Sequence, residues 1–181
     1  MIFFISDTHF CHSNIIKYCN RPYSDVDEMN KDFIERWNSV VGKDDIVYHL
    51  GDFALCDKAG IKLLAKQLNG TKYLVRGNHD HWSKTFYEEC GFNVLINPPV
   101  VLDGITINGN QVCVSHTPIR DSQMPKGCIN LHGHIHEKKL ENCQDKYPPM
   151  YYDVKRHFNI SCDVLGFKPL SLTDLEKEFS Y

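Results

Sequence analysis

The sequence predicts an α/β fold, and two patterns carry that prediction. Over residues 2 to 90, short apolar runs alternate with amphipathic stretches, as in strands joined by crossover helices in a parallel sheet. From residue 100 onward the runs are strand-like and closely spaced, with a helical stretch only near residue 173. A third observation locates the chemistry: five short segments rich in Asp, His and Asn follow strand-like runs or turns. The 181 residues are enough for a substantial core, and 1–181 reads as a single domain without internal repeats or a linker.

Residues 2 to 6 read as the first strand. Residues 27 to 41 read as a helix, because Met29, Phe33, Trp37 and Val40 or Val41 recur near every fourth position. Ser24 is the expected N-cap, Asp25, Asp27 and Glu28 favour the positive end of the helix dipole, and Gly42 is the expected stop. Asp45 to Leu50 is the second strand. A helix over 58–69 has Ile61, Leu64, Ala65 and Leu68 as its stripe, and Lys72 to Val75 is the third strand. Ser83 caps a short helix reaching Cys90. Strands follow over 100–102, 104–107, 111–115, 128–131 and 158–162, with Asn108-Gly109 as a hairpin turn. Segment 137–156, polar and carrying Pro148-Pro149, reads as a long loop. Thr173-Asp174-Leu175-Glu176 matches a capping box.

Composition narrows the class. A net charge of −3 gives no bulk electrostatic case for nucleic-acid or anionic-membrane binding. No apolar run approaches the roughly 20 residues that span a bilayer. The apolar start, Met1 to Ile5, is short for a signal peptide and runs into Asp7, so a cytoplasmic location is expected. The eight cysteines form no Cys-x-x-Cys pair and are expected to be reduced, mostly as small buried hydrophobes. Cys11 alone among them lies inside a motif segment, with packing its expected role.

The five segments are Asp7-Thr8-His9, Gly51-Asp52, Gly77-Asn78-His79-Asp80, Ser115-His116 and Gly133-His134-Ile135-His136. Loops after strands of one sheet converge on one edge, so these segments predict one shared site. Carboxylate, imidazole and amide ligands suit a pair of divalent transition metals and a hydrolytic reaction. Asp7, His9, Asp52, Asn78, His116, His134 and His136 are the expected ligands. In extended geometry Asp7 and His9 would point to one side. Asp52, with two oxygens, is expected to bridge both ions. His79 follows a ligand directly and is the expected proton carrier, with Asp80 orienting its imidazole. His12 is a candidate second acid or substrate contact. His49, His81 and His132 are expected to support the ligands from behind. His157 lies in no motif. Arg76 and Arg120 could neutralise phosphate, and Arg76 could equally hold its own loop.

These residues, in this order, resemble the calcineurin-like metallophosphoesterase superfamily, whose pattern is Asp-x-His, Gly-Asp, Gly-Asn-His-Asp/Glu, a lone His, and Gly-His-x-His. The resemblance spans residues 7 to 136. The segment from Asp7 to Ile16 looks like the small, single-domain members found in bacteria and their phages. The resemblance implies a four-layer α/β/β/α sandwich with a dimetal site at the strand ends. Asp7, His9, Asp52 and His136 would hold one ion, and Asp52, Asn78, His116 and His134 the other. A metal-bridging hydroxide would attack phosphorus, with His79 assisting the leaving group. Manganese is the foremost candidate cofactor, with Fe²⁺, Zn²⁺, Ni²⁺ or Co²⁺ as alternatives.

The leading expectation is therefore a phosphoesterase acting on a small phosphodiester, a nucleotide among the candidates. A phosphomonoesterase and a non-catalytic scaffold of the same fold are the alternatives. Phe53-Ala54-Leu55 stands where phosphoprotein phosphatases carry Asp-Arg-Gly, which argues against a phosphoprotein substrate. Phe10, Tyr151 and Tyr152 are the aromatics that could stack on a base.

Overall fold

Strand β1 (Ile2–Ile5) has apolar packing on both faces, and that sets the layers. The computed structural model describes residues 1–143, 146–148 and 151–178. Side chains alternate across a strand. Phe3 and Ile5 therefore face one core, while Phe4 faces another.

The first core lies between a sheet and helices. It joins Phe3, Ile5, Val47, Leu74 and Phe92 to α2 (Val26–Val40), α3 (Lys58–Gln67) and α4 (Lys84–Glu89). The predicted stripe of α2 does face this core: Met29, Phe33 and Trp37 are buried, and Trp37 Nε1 donates to the Asn69 carbonyl at 3.0 Å. The second core lies between two sheets. Phe4, Leu50 and Val75 pack there against Ile105, Val112, Val114, Ile129, Leu131 and Phe158. The outer face of the second sheet buries Cys113 and Cys128 under Met124, which follows a 3₁₀ turn at Asp121–Gln123. The result is an α/β/β/α sandwich whose last layer is thin.

The first sheet has the order β4-β3-β2-β1-β9, with β2 (Ile46–His49), β3 (Thr71–Val75), β4 (Phe92–Leu95) and β9 (Leu170–Ser171). Its first four strands are parallel and β9 is antiparallel to β1. The second sheet has the order β5-β6-β7-β8, with β5 (Val100–Ile107), β6 (Asn110–Val114), β7 (Cys128–His132) and β8 (His157–Asn159). Only β5 and β6 are antiparallel, joined through Asn108-Gly109, both at positive φ as a tight hairpin turn requires. At one end the sheets are stitched together: Ser6 N donates to Ile160 O (3.0 Å), and Cys162 N donates to Ser6 O (2.8 Å). No helix among the described residues is long and apolar enough to cross a membrane.

Several expectations move. Helix α1 (Ser13–Tyr18) and strand β4 were not anticipated; α1 is six residues long and has no side-chain cap, so little marks it. Asp25, not Ser24, caps α2 by accepting from Glu28 N. Ser24, the residue before that cap, instead donates from its backbone and hydroxyl to the Glu28 carboxylate. The terminal helix α5 (Leu172–Glu178) starts earlier than Thr173, with Ser171 Oγ accepting from Asp174 N. Residues 100–107 form one irregular strand, because the register shifts between Val101 and Thr106 without breaking it. The last strand-like run stops at Asn159, since Ile160 onward turns to meet Ser6. The described part of 137–156 contains two 3₁₀ turns, and its Leu140 and Tyr147 form a small apolar cluster with Ile135.

Phe4 is fully buried between the sheets. Phe4→Ala is expected to cost about 3–5 kcal/mol of unfolding free energy, read as a lower urea midpoint with an unchanged transition slope.

Candidate metal centre

All five segments meet at the stitched end of the sheets, and the backbone there is unusual. Asp7 (φ 57°), His9 (49°), Asp52 (56°), His134 (71°) and His136 (52°) all lie in the left-handed region. Each such residue costs of order 1–3 kcal/mol and persists where surroundings fix it, although Asp and His tolerate it better than most. The expected extended geometry of Asp7 and His9 is thus corrected: the chain turns at each, and their side chains converge through those turns.

Close backbone approach explains two of the glycines. A Cβ on Gly133 would sit 2.1 Å from Ser6 Oγ and 2.2 Å from Asp7 Oδ2. One on Gly77 would sit 2.2 Å from Asp52 Oδ1. The contacts that fill this space hold the acids. His134 N donates to both Asp7 oxygens (3.1 and 2.9 Å), and His79 N donates to Asp52 Oδ1 (2.8 Å).

The remaining acceptors face one another. His116 Nδ1 donates to the Leu50 carbonyl at 2.9 Å, which leaves Nε2 as a lone pair. That lone pair points at Asp52 Oδ2 (3.4 Å), Asn78 Oδ1 (3.0 Å) and His134 Nδ1 (3.2 Å). His136 Nδ1 donates to Asp163 Oδ2 at 2.9 Å, freeing its Nε2 in the same way. His9 Nε2 is buried with no hydrogen-bond partner and lies 3.4 Å from Asp52 Oδ2. One ligand atom from each of Asp7, His9 and His136 falls within 4.8 Å of the others, and the same holds for Asp52, His116 and His134. Asp52 Oδ2 is equally far from His9 and His116, between the two groups.

The electrostatics describe a site that wants positive charge. Burial pushes the His9 imidazole down to about 2, and burial with the neighbouring His116 and Lys146 pushes His134 down to about 4. Burial also works against protonation of His136, yet the hydrogen bond to Asp163 carries it up to about 10. His116 is raised too, because Asp52 and Asp7 outweigh its burial. Burial alone would raise the Asp52 carboxyl, but His116 holds it below the usual carboxylate range. A proton on His116 or His136 is a partial substitute for a cation.

Behind these groups stands a support that the motifs did not reveal. Arg21 is buried and makes a two-pronged ion pair with Asp163 (Nε to Oδ1 2.8 Å, Nη2 to Oδ2 3.0 Å). Its guanidinium also donates to the carbonyls of Thr8 (2.9 Å) and Asp7 (2.7 Å). Asp163 lies just past a strand-like run, as the other motifs do, and that was its one legible signal. Arg21 had none.

The other candidates distribute as follows. Asp80 does not orient His79. Its carboxylate accepts from the backbone N–H of Asp52 (2.8 Å), Gly77 (2.8 Å) and Phe53 (3.1 Å) and from Tyr87 Oη (3.4 Å), so it ties two site loops together. His79 and His12 line the cavity over the centre, and His12 Nδ1 is 3.2 Å from His9 Nδ1. His49 accepts from Gly51 N (3.2 Å) and contacts Thr8 Oγ1 (2.9 Å), bracing two loops. His132 donates to the Gly133 carbonyl, and His81 is exposed with its ring 6.1 Å from that of His79. His157 is bonded to Asp121 and Asn130 beneath the second sheet. Arg76 holds its own loop through the Trp82 carbonyl, and Arg120 lies over the Tyr151 ring. Cys11 meets Asn30, and the eight cysteines are free. Phe10 is fully buried against Phe33 and Phe53, so it has no face for a base. The aromatics that line the cavity are Tyr18 and Tyr147, rather than Tyr151 and Tyr152.

Comparisons with known proteins agree with this arrangement. The model of the calcineurin-like phosphoesterase family matches residues 1–171. An uncharacterised protein of Methanocaldococcus jannaschii is 40% identical over 174 residues, covering 94% of this chain and 86% of its own. The gene 66 protein of Mycobacterium phage D29 is 28% identical over 175 residues, covering 78% and 81%. The crystal structure of a protein of unknown function from Aquifex aeolicus superposes with a TM-score of 0.72 at 25% identity, covering 98% of both chains.

Replacing Asp163 removes the charge that fixes the His136 ring. Asp163→Asn is expected to weaken Mn²⁺ binding roughly tenfold or more by calorimetry, with helix content retained in the circular dichroism spectrum. Burial also sets an acid limit. His49 and His132 are both pushed from 6.5 down to about 3, chiefly by burial. Their folded values lie below the unfolded ones, so this stability is present above pH 6.5 and is lost as pH falls toward 3. The urea midpoint of chelated protein is expected to drop between pH 6.5 and 4, and to drop less steeply in His132→Asn.

Proposed function

The chain belongs to the calcineurin-like phosphoesterase family, and from that premise we propose that it is a dinuclear-metal phosphoesterase acting on small phosphodiesters. The observation that carries the reading is the orphaned, buried His9 Nε2, set with Asp7, Asp52 and His136 among acceptors that face one another. A buried polar atom without a partner is rare in a native protein, and a divalent cation gives it one. In this proposal Asp7, His9, Asp52 and His136 hold one cation, and Asp52, Asn78, His116 and His134 hold the second. Such a pair, when bound, supplies Lewis acidity toward a phosphoryl oxygen and a water acidic enough to act near neutral pH. We place Mn²⁺ first for the carboxylate oxygens, with Fe²⁺, Zn²⁺, Ni²⁺ and Co²⁺, which the imidazoles also suit, as alternatives.

The chain's own groups then do the rest. Asp163 and Arg21 hold His136 and the Asp7 turn in register. Asp80 holds the loops of Asp52 and Asn78 against each other. His12 Nδ1 meets His9 Nδ1 at 3.2 Å, which leaves the opposite nitrogen of His9 directed at the centre. His79 has its backbone on Asp52 and its ring 5.2 Å from that of His9, within the cavity. It is the group positioned to give a proton to a departing alkoxide. A diester that releases an alkyl alkoxide gains from that proton, which is the ground for placing diesters first.

The test is hydrolysis of bis-p-nitrophenyl phosphate and p-nitrophenyl phosphate by chelated protein reloaded with Mn²⁺, Zn²⁺, Ni²⁺ or Mg²⁺. Metal-dependent turnover, faster on the diester, is expected. On a diester that releases an alkyl alkoxide, such as thymidylyl-(3′→5′)-thymidine, His79→Ala should lower kcat by about 10²–10⁴ while the bound-metal content stays the same, with a much smaller loss on the p-nitrophenyl esters, whose phenolate departs without a proton. A faster monoester would overturn the diester preference, and inactivity with every metal would overturn the enzyme itself.

A further inference from the structure

We infer that Cys11 and Cys56 are a dithiol–disulfide pair, and that a low-molecular-weight disulfide closes it, staples the loops of His9 and Asp52 together and loosens the centre's hold on its cations. For that consequence, though not for the bond itself, the inference rests on the metal-centre reading above, whose regulation it names.

Backbone bonds bring the two cysteines together. Phe10 N donates to the Phe53 carbonyl (2.9 Å) and Leu55 N donates to the Phe10 carbonyl (2.8 Å), which lays the segment after His9 alongside the segment after Asp52. Cys11 and Cys56 follow directly on this short ladder, and their sulfurs are hydrogen-bonded to each other. Both are free and half-buried, packed on the same apolar core. Asn30, on α2, holds Cys11 from the other side. Its Oδ1 accepts from Cys11 N at 2.9 Å, and its Nδ2 donates to Cys11 Sγ at 3.5 Å. These bonds fix a residue whose backbone is left-handed (φ 64°). Gly60, in the first turn of α3, makes the room for Cys56. A Cβ there would lie 2.8 Å from Cys56 Sγ, and glycine is otherwise a poor choice within a helix.

Cys11 also lines a cavity of about 470 Å³ between α2 and α3, together with Ile34, Gly60 and Leu63. A small disulfide such as oxidised glutathione reaches Cys11 there. The Cys11 sulfur attacks one glutathione sulfur, the glutathione disulfide breaks, and one glutathione thiol leaves with the Cys11 proton. The Cys56 sulfur then displaces the second glutathione, which takes the Cys56 proton. One disulfide is made and one is broken: the two cysteines are oxidised, and oxidised glutathione is reduced to two thiols. A covalent bond draws the sulfurs closer than their hydrogen bond does. Cys11 lies two residues after His9, and Cys56 four after Asp52, so the pull reaches both turns. Metal–ligand distances tolerate shifts of only about 0.2 Å, so a displaced turn binds a cation less well.

The experiment incubates the full-length protein with graded ratios of oxidised to reduced glutathione. Free thiols are alkylated, peptides are mapped by mass spectrometry, and the Mn²⁺ affinity of each form is read by calorimetry. A disulfide between Cys11 and Cys56, reversed by dithiothreitol, is expected, with Mn²⁺ affinity roughly tenfold lower in the oxidised form. By reciprocity, saturating Mn²⁺ should make the pair about tenfold harder to oxidise. Cys56→Ser should stop the reaction at a mixed disulfide of Cys11 with glutathione. The Mn²⁺ affinity of Cys11→Ser should be indifferent to oxidised glutathione. Oxidation of other cysteines in preference, or closure of the pair only in urea, overturns the inference. A disulfide that changes Mn²⁺ affinity by less than about twofold overturns the regulation, because ligand turns that moved would show it. A loss that persists in Cys11→Ser also overturns it, and assigns the effect to another thiol such as Cys19 in the cavity over the centre. Absence of Mn²⁺ binding in both forms overturns the metal-centre reading and its regulation together, while the disulfide stands or falls on the mass spectrum.

Discussion

The organising constraint is a set of lone pairs that face one another in a buried space. Asp7, His9, Asp52, Asn78, His116, His134 and His136 each turn an acceptor toward the same volume. Acceptors repel, and burial strips away the water that would separate them. The protein manages this by committing the other side of several of these groups to backbone. Asp7 and Asp52 take amide N–H groups, and His116 gives its proton to a carbonyl. These bonds fix each tautomer and each carboxylate plane, so that what is left over is negative and convergent. A divalent cation pair is the chemistry that such an arrangement can satisfy.

Holding it requires both sheets at once. Candidate ligands from the first sheet sit in turns after β1, β2 and β3, while His116, His134 and His136 follow β6 and β7 of the second sheet. Phe4, Leu50 and Val75 meet the apolar face of the second sheet directly beneath them. The stitch between Ser6 and residues 160–162 then sets the height of one edge against the other. Left-handed turns at five ligand positions add strain, which the packed edges and the Arg21–Asp163 ion pair restrain. The site is therefore rigid because it is built across an interface between layers, rather than on one flexible loop.

The same construction separates chemistry from selection. The candidate metal-binding groups are fixed to strand ends. The cavity wall is made by α1 and by the segment after β7, which has its own small core of Ile135, Leu140 and Tyr147. Segments of this kind can change without disturbing the ligands beneath them.

The sequence by itself determined the fold class, the parallel first sheet, the burial stripe of α2 and the five motifs that meet at the candidate centre. Those properties are local: a period of two or four along the chain, a Gly before an acid, and an imidazole after a strand. Helix α1 was not legible, because its six residues carry no cap and too few turns to show a period. Asp80 was assigned to His79 because it is adjacent in sequence, whereas its oxygens go to backbone groups up to 28 residues away. Arg21 and Asp163 are 142 residues apart, and Phe10 resembled an exposed stacking residue until the helices closed over it. Only the tertiary structure decided these points, because hydrogen-bond partners and burial are set by which elements come together, and no local pattern records that.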